Sequence, residues 1–251
     1  MKEANKIQDL NTPNSASRRT FLKIMAGIGI GAVAVGLGRG ALQNIIPASV
    51  GVSGYPTLTL YKGTTGTPLQ ITDLSVNNPA AVIFSYPLQN EPNFILRLGD
   101  SSNNDVSLKP YTVQIPATGG SYTAPGGVGP YGSVIAYSAV CQHLGGTPPS
   151  IHYYAPGSTI PSHPGHSGAN NTGFINCILH GSTYDPFKGC SVVTGPTKSP
   201  LPSVVLTYDA TKQTFSVSSL VGPTIQGHTN NLTGGSPLPS SSSTEVTTIA
   251  V

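Results

Sequence analysis

The sequence predicts an all-β domain whose short strands are joined by long loops, arranged as an antiparallel sandwich or barrel. The chain has 251 residues, of which 30 are glycine and 23 are proline, and these turn-forming residues are spread without a period. Between them lie short runs rich in β-branched and aromatic residues. No amphipathic helical pattern follows Pro47. These features together favour strands over helices in the part of the chain after Pro47.

Eight runs of β-type residues, separated by turn signals, are predicted as the strands. They are Thr57–Tyr61, Ala81–Tyr86, Phe94–Leu98, Tyr111–Ile115, Ser133–Val140, Gly173–Cys177, Val204–Tyr208 and Thr214–Val217. We expect one main domain over residues 47–228. Within it, residues 144–172 are rich in Gly, Pro, Ser and His and exceed an ordinary hairpin loop, which predicts an insertion. Residues 229–251 include four consecutive serines and are expected to form a low-complexity, mobile tail.

The charge distribution argues against nucleic acid as a partner. Only 8% of the residues are charged, compared with about 25% in an average soluble protein. Residues 1–40 hold six of the 12 basic side chains, so the remaining 211 residues carry six bases against seven acids. No patch of Lys and Arg is therefore left in the main domain to neutralise phosphates.

Residues 1–46 combine a pair of arginines with an uncharged, mildly apolar stretch. The run S-R-R-T-F-L-K begins at Ser17, and the next fifteen residues carry no charge. This run resembles a twin-arginine (Tat) export signal, which implies transport of an already folded protein. Apolar character resumes after Arg39 and stops at Pro47, so we expect an uncleaved helical membrane anchor. An ordinary transmembrane helix with basic flanks is a compatible alternative. Either way, the main domain is expected on the extracytoplasmic side of the cell membrane.

Two short patterns place a cysteine close to a histidine. They run from Cys141 to His143 (C-Q-H) and from Cys177 to His180 (C-I-L-H). Two thiolates and two imidazoles can close a tetrahedral zinc site, or hold a two-iron cluster with the cysteines on one iron and the histidines on the other. The third cysteine, Cys190, lies outside both patterns. We expect it to be a small buried side chain, with a free reactive or intermolecular thiol as the alternative.

The residues after these two patterns favour the iron cluster. The first pattern continues as C-Q-H-L-G-G, the second as C-I-L-H-G-S-T-Y-D, and a Gly-Pro pair follows at 195–196. Over about residues 138–201 the chain resembles the Rieske iron–sulfur family, whose motifs are C-x-H-L-G-x, C-x-x-H-G-S-x-Y-D and a Gly-Pro loop. The resemblance implies a Rieske-type antiparallel β-sandwich with an inserted cluster-binding subdomain. It also implies a [2Fe-2S] cluster with two Cys and two His ligands.

The same resemblance implies a role for each residue of the motifs. Cys141 and Cys177 would bind the buried iron, while His143 and His180 would bind the outer iron, with their second ring nitrogens facing solvent. Leu144 would cover the cluster, and a quinol would hydrogen-bond His180 beside this leucine.

Further residues are expected around the cluster by resemblance. Ser182 would donate a hydrogen bond to a bridging sulfide, and Tyr184 would donate one to a cysteine sulfur. The remaining expected positions allow a close approach of the backbone or close the third side of the site; they are Gly145, Gly146, Gly181, Gly195 and Pro196.

The sequence departs from the quinol-oxidising members of the family at two positions. Those proteins carry one additional cysteine in each loop, joined as a disulfide, whereas this chain has Gly146 and Leu179 there. The two loops are therefore not covalently joined. His152, His163 and His166 fall in the predicted insertion and are expected to be surface side chains.

Three functions from different classes fit the sequence. The first is an electron-transfer subunit of a membrane quinol-oxidising complex, with a cytochrome b-type partner and a cytochrome or copper protein as acceptor. The long chain and long insertion resemble archaeal Rieske subunits of such complexes. The second is the small subunit of an exported molybdenum oxidase of the arsenite-oxidase type. The third, without redox chemistry, is a zinc-stabilised surface β-protein.

Overall fold

The computed structural model describes residues 55–63, 66–162, 172–227, 238 and 244–249. The predicted anchor over residues 1–46, and His163 and His166, lie outside these described residues. Within the described ranges, no helix has the length and apolarity needed to cross a membrane. The helical elements there are two single 3₁₀ turns, Ile71–Asp73 and Pro186–Lys188. The prediction of an all-β fold is confirmed.

The described residues form fourteen strands. In chain order they are β1 Leu58–Lys62, β2 Thr67–Pro68, β3 Ala81–Ser85, β4 Pro92–Arg97, β5 Tyr111–Ile115, β6 Gly120–Ala124, β7 Val134–Ser138, β8 Ile151–Tyr154, β9 Phe174–Cys177, β10 Ser182–Asp185, β11 Ser191–Thr194, β12 Ser203–Asp209, β13 Thr214–Val221 and β14 Thr244–Ile249. All eight predicted runs are strands: β5 has the predicted bounds, and the bounds of the other seven differ by a few residues.

A large sheet closes on itself and forms the base of the molecule. Its strand order is β13-β12-β7-β4-β3-β14-β1-β2, and β13 also pairs with β1, which completes a ring of seven strands. The pairs are antiparallel except β1 with β14, which is parallel. Buried apolar side chains from every side fill the interior of the ring, among them Leu60, Phe84, Ile95, Phe215 and Val217. Because the sheet is closed, each of the seven strands pairs with a neighbour on both sides.

A second, four-stranded sheet is inserted between β7 and β12, with the order β11-β10-β9-β8. It packs on the outer side of the ring, where Leu96 and Tyr137 of the large sheet share a core with Ile175 and Tyr184 of the small one. The strand β7 is consequently buried along its whole length, because its alternate side chains point into the ring and into this second core. This arrangement fixes the small sheet, which carries the predicted motifs, against a rigid base.

The structure differs from two of the loop predictions. The predicted insertion at 144–172 contains β8, which pairs with β9 as an integral strand of the small sheet. The predicted tail contains β14, which pairs with β3 and β1 of the ring. The reason is visible in composition: β8 is I-H-Y-Y and β14 is T-E-V-T-T-I, both β-branched or aromatic runs. Each of these two strands is flanked by prolines and serines, and these residues hide the short β-type run when the surrounding segment is judged by its overall composition.

Glu91 is a buried carboxyl in the connection from β3 to β4. It is 3% exposed, and its backbone N–H donates to the carbonyl of Leu88 at 3.3 Å. Burial raises the pKa of Glu91 from 4.5 to about 7. Folding thus makes this carboxyl bind its proton more tightly, so its contribution to stability is full below pH 4.5 and is lost as the pH rises through 7.

We therefore expect the contribution of Glu91 to the free energy of unfolding to fall by about 3 kcal/mol between about pH 4.5 and about pH 8. Glu91→Gln should remove this dependence in urea unfolding followed by circular dichroism. Asp209→Asn is the control, because the Asp209 side chain is exposed, and this variant should retain the dependence. Asp105, whose pKa is held low by Arg97, titrates below this window. An unchanged pH slope in Glu91→Gln would assign the effect to another group.

Candidate metal centre

The four predicted ligands lie in two loops of the same shape. The first loop follows β7 and contains Cys141 and Gly145, and the second joins β9 to β10. Each loop closes with a hydrogen bond from a glycine N–H to the cysteine carbonyl four residues earlier: Gly145 to Cys141 and Gly181 to Cys177, both at 2.9 Å. These glycines adopt left-handed φ values of +77° and +78°, which a side chain would disfavour. The repeated C…G spacing of the motifs is thus a repeated backbone turn.

Exposure increases from the cysteines to the histidines. Cys141 is 2% and Cys177 is 1% exposed, whereas His143 is half-buried and His180 is exposed. The two imidazole rings meet edge to face, with their centroids 4.9 Å apart and an interplanar angle of 84°. His143 Nδ1 is buried and has no hydrogen-bond partner within the described part of the chain. One ring nitrogen of this histidine therefore points inward and remains free to bind a metal.

The two ligand cysteines lie close enough to interact. A hydrogen bond from the Cys177 thiol lowers the pKa of Cys141, with a further contribution from Tyr184, while burial opposes the shift. The same bond and burial raise the pKa of Cys177. One thiol of the pair therefore ionises readily, and a thiolate is the form of cysteine that binds metals.

Tyr184 in β10 reaches the sulfur of the first loop. Its side chain is fully buried, and its Oη lies 3.4 Å from Cys141 Sγ. The backbone N–H of Gln142 donates to the same oxygen at 3.0 Å. Because the oxygen already accepts this bond, the tyrosine proton is available to point at the sulfur. The structure thus places Tyr184 where the resemblance expects a donor to a cysteine.

Ser182 lies opposite the second ligand cysteine, in the pairing of β10 with β9 that matches Ser182 with Cys177. Its Oγ is buried and makes no hydrogen bond of ordinary geometry to the described residues, although its proximity contributes to the lowered pKa of Cys141. Burying a hydroxyl that has no hydrogen-bond partner costs free energy of folding. The Ser182 hydroxyl is therefore expected to donate to an acceptor atom of a bound group.

The Gly195-Pro196 loop lies against the backbone that leads from the second loop into β10. Gly195 has φ +102°, and a Cβ placed on it would lie 2.5 Å from Ser182 Cα and 2.6 Å from the Gly181 carbonyl oxygen. Only glycine permits this approach of the two backbones. Pro196, the following residue, is exposed.

Asp185 and Cys190, which follow the second ligand loop, take structural roles. Asp185 accepts the Phe187 N–H at 3.0 Å and caps the 3₁₀ turn after β10, a turn-forming role expected for it. Cys190 is fully buried and unpaired, as expected for a small core side chain, and burial raises the pKa of its thiol. His152 is half-buried in β8, and its Nδ1 lies 3.1 Å from the Pro149 carbonyl oxygen.

The residues present fit a two-iron cluster. In the described ranges no group of three or more His, Cys, Asp or Glu side chains is placed to hold a single metal ion. A Rieske-type cluster instead asks for two protein ligands on each iron. The site offers two neighbouring buried thiols, two adjacent imidazoles, and inward-facing polar atoms of His143 and Ser182 that lack partners in this part of the chain.

Comparison with known proteins identifies the cofactor. Residues 124–205 match the family model of the Rieske [2Fe-2S] domain, a range that contains both loops and Gly195. The match implies a Rieske-type [2Fe-2S] cluster in this segment, in place of the zinc ion that the two motifs alone left open. Among solved structures, the chain is similar to the soluble domain of the Rieske protein II (soxF) from Sulfolobus acidocaldarius. The two are 26% identical over 72% of this chain and 87% of that chain, with a TM-score of 0.47.

Loss of either hydroxyl near the cluster is expected to lower its midpoint potential. Reduction adds a negative charge that is spread over iron and sulfur, and a hydrogen bond to sulfur favours the reduced state. A bond to a charged group contributes about 1.5–3 kcal/mol in total, of which only the difference between oxidation states counts. We expect Tyr184→Phe and Ser182→Ala each to lower the potential by about 30–100 mV.

Protein-film voltammetry would measure these shifts against matched controls. Tyr137→Phe removes a buried hydroxyl that donates to the Pro186 carbonyl, and Ser203→Ala removes a buried serine hydroxyl of β12. Neither control should move the midpoint. A midpoint within error of wild type in Tyr184→Phe or Ser182→Ala would show that the hydroxyl in question does not bond to the cluster sulfurs.

Proposed function

We propose that this protein is the electron-transfer Rieske subunit of a membrane quinol-oxidising complex with a cytochrome b-type partner. In this proposal Cys141 and Cys177 bind the buried iron, and His143 and His180 bind the outer iron. The protein takes an electron from quinol and passes it to a cytochrome or copper protein outside the cell membrane. Residues 1–46 export the folded domain and anchor it in the membrane.

The observation that carries the proposal is the exposed His180 in an apolar rim. Leu144 is 67%, Leu179 is 52% and Ile178 is 41% exposed, and all three lie in the two ligand loops. Apolar side chains of this size rarely collect on a free surface unless a partner or ligand covers them. A quinol offers a hydroxyl for the imidazole and an apolar ring for the leucines.

The cluster, when bound, supplies a one-electron acceptor, and the protein supplies the rest of the chemistry. An imidazole that binds metal through one nitrogen keeps its second nitrogen for a proton. In the proposal, the second ring nitrogen of His180 first loses its own proton and then accepts the hydrogen bond and the proton of a quinol hydroxyl. Leu144, an exposed apolar side chain of the first loop, would keep water from that hydrogen bond, which favours transfer to the imidazole over loss to solvent. The buried Cys141 and Cys177 remain out of reach of the substrate.

Electron paramagnetic resonance of cell membranes tests the proposal. A quinol-site inhibitor should shift the g-values of the cluster signal in membranes, because the inhibitor replaces quinol at His180. The purified domain without its membrane partner is the control, and its spectrum should not change. An unchanged membrane spectrum would argue against a quinol site. Carbonate extraction adds a second readout: the protein should stay with the membranes, and its release would favour the small subunit of an exported molybdenum oxidase.

A further inference from the structure

Apart from their cysteine and histidine ligands, the two ligand loops also meet between Gly146 and Leu179. A Cβ placed on Gly146 in the first loop would lie 2.9 Å from Leu179 Cδ1 and 3.3 Å from Cys177 Sγ in the second loop. The tip of Leu179 therefore already fills the space over the Gly146 α-carbon. This space also borders the ligand sulfur of Cys177.

Leu179 combines this contact with partial exposure. It is 52% exposed, so about half of its surface is covered, while Cys177 two residues earlier is 1% exposed. Its neighbour Ile178 is 41% exposed, and its backbone N–H donates to the Ser150 carbonyl at 2.8 Å. The loop backbone is thus fastened to the residue before β8, and the Leu179 side chain reaches across to the first loop.

We propose that Leu179 is a positioning residue that closes the second loop over Gly146 and keeps water from the Cys177 sulfur. Gly146 and Leu179 form a size-matched pair, because any side chain at 146 must displace the leucine tip. The contact holds the loops together without a covalent bond. This inference rests on the cluster and is independent of the proposed quinol partner.

The holoprotein allows a direct test through the rate at which an excess of chelator bleaches the cluster. Leu179→Ala should raise this rate about three- to tenfold, the factor that corresponds to losing roughly half of a leucine's burial. Ile178→Ala is the matched control, because it removes an equally large, exposed side chain from the same loop, and it should stay within about twofold of wild type. Leu179→Met should restore most of the protection.

The size-matched pair makes a sharper prediction for a double-mutant cycle. Gly146→Ala alone should also speed bleaching, because its methyl pushes the leucine tip aside. In Gly146→Ala/Leu179→Ala the methyl occupies the vacated space, so the double variant should bleach more slowly than the product of the two single effects predicts. Multiplicative effects, or equal rates for Leu179→Ala and Ile178→Ala, would overturn the proposal.

Two further measurements, the midpoint potential and the labelling of Cys177, distinguish the exclusion of water by Leu179 from a general loosening of the ligand loops. Added water stabilises the more negative, reduced cluster, so Leu179→Ala should raise the midpoint potential, opposite to the loss of a hydrogen bond. In the apoprotein, an alkylating reagent should label Cys177 faster in Leu179→Ala than in Ile178→Ala, as located by mass spectrometry. An unchanged potential together with unchanged Cys177 labelling would assign Leu179 a merely structural role, even if bleaching were faster.

Discussion

Replacing His180 with cysteine is expected to preserve a two-iron cluster but to slow quinol oxidation at least about 100-fold, the usual contribution of a positioned proton acceptor. A thiolate can bind iron, but it has no second nitrogen to receive the quinol proton. His180 is the exposed imidazole of the pair, whereas His143 has an inward-facing nitrogen that is buried. The substitution therefore removes the proton acceptor and leaves both cysteine ligands in place.

Steady-state quinol oxidation by membranes, with cluster content measured from the visible spectrum, would check this expectation. His152→Cys is the matched control, because it makes the same change at a half-buried histidine of β8 that lies outside the ligand loops. It should leave turnover and spectrum unaltered. Undiminished turnover per cluster in His180→Cys would refute the role of His180 in taking the proton.

In both the ring and the small sheet, the strands that could be predicted from the sequence are those whose residues form a clear hydrophobic or β-branched run. Strand β5 has the predicted bounds, and β12 and β13 extend the predicted runs by a few residues. The closure of the ring could not be predicted from the sequence. It depends on β13 pairing with its neighbour β12 and also with β1, which lies far from β13 in the chain. A local sequence pattern indicates that a segment is a strand, whereas the strands with which it pairs are determined by the packing of the whole core.

Motif spacing predicted which residues share the site but not how they contact one another. The C-x-H-L-G and C-x-x-H-G patterns contain the two glycine turns, and the donor Tyr184 follows the second pattern at a fixed distance. The packing of Leu179 on Gly146 has no such signal, since a leucine before a histidine is not informative in itself. The same holds for the fastening of Ile178 to Ser150, which depends on the unpredicted strand β8.

The Gly-Pro loop gives a steric prediction for the site itself. Gly195→Ala should destabilise the closed site by about 2–6 kcal/mol, combining overpacking with the strain of a side chain at positive φ. The new methyl would meet three backbone atoms of one segment: Ser182 Cα at 2.5 Å, the Gly181 carbonyl oxygen at 2.6 Å and Ser182 N at 2.8 Å. Backbone atoms of a paired strand cannot rotate away as a flexible side chain can. The loop must move instead, which uncovers the side of the cluster where Ser182 lies.

Gly157→Ala separates the two parts of this effect. Gly157 has φ +85°, close to the φ +102° of Gly195, but a Cβ there meets nothing within 4 Å. It should therefore show only the backbone strain, about 1–2 kcal/mol, and keep its full complement of iron. Gly195→Ala should be purified with little or no cluster colour, while β-type circular dichroism persists because the ring of seven strands is built from other residues. Equal iron content in the two variants would mean that the loop around Gly195 yields easily and does not close the site.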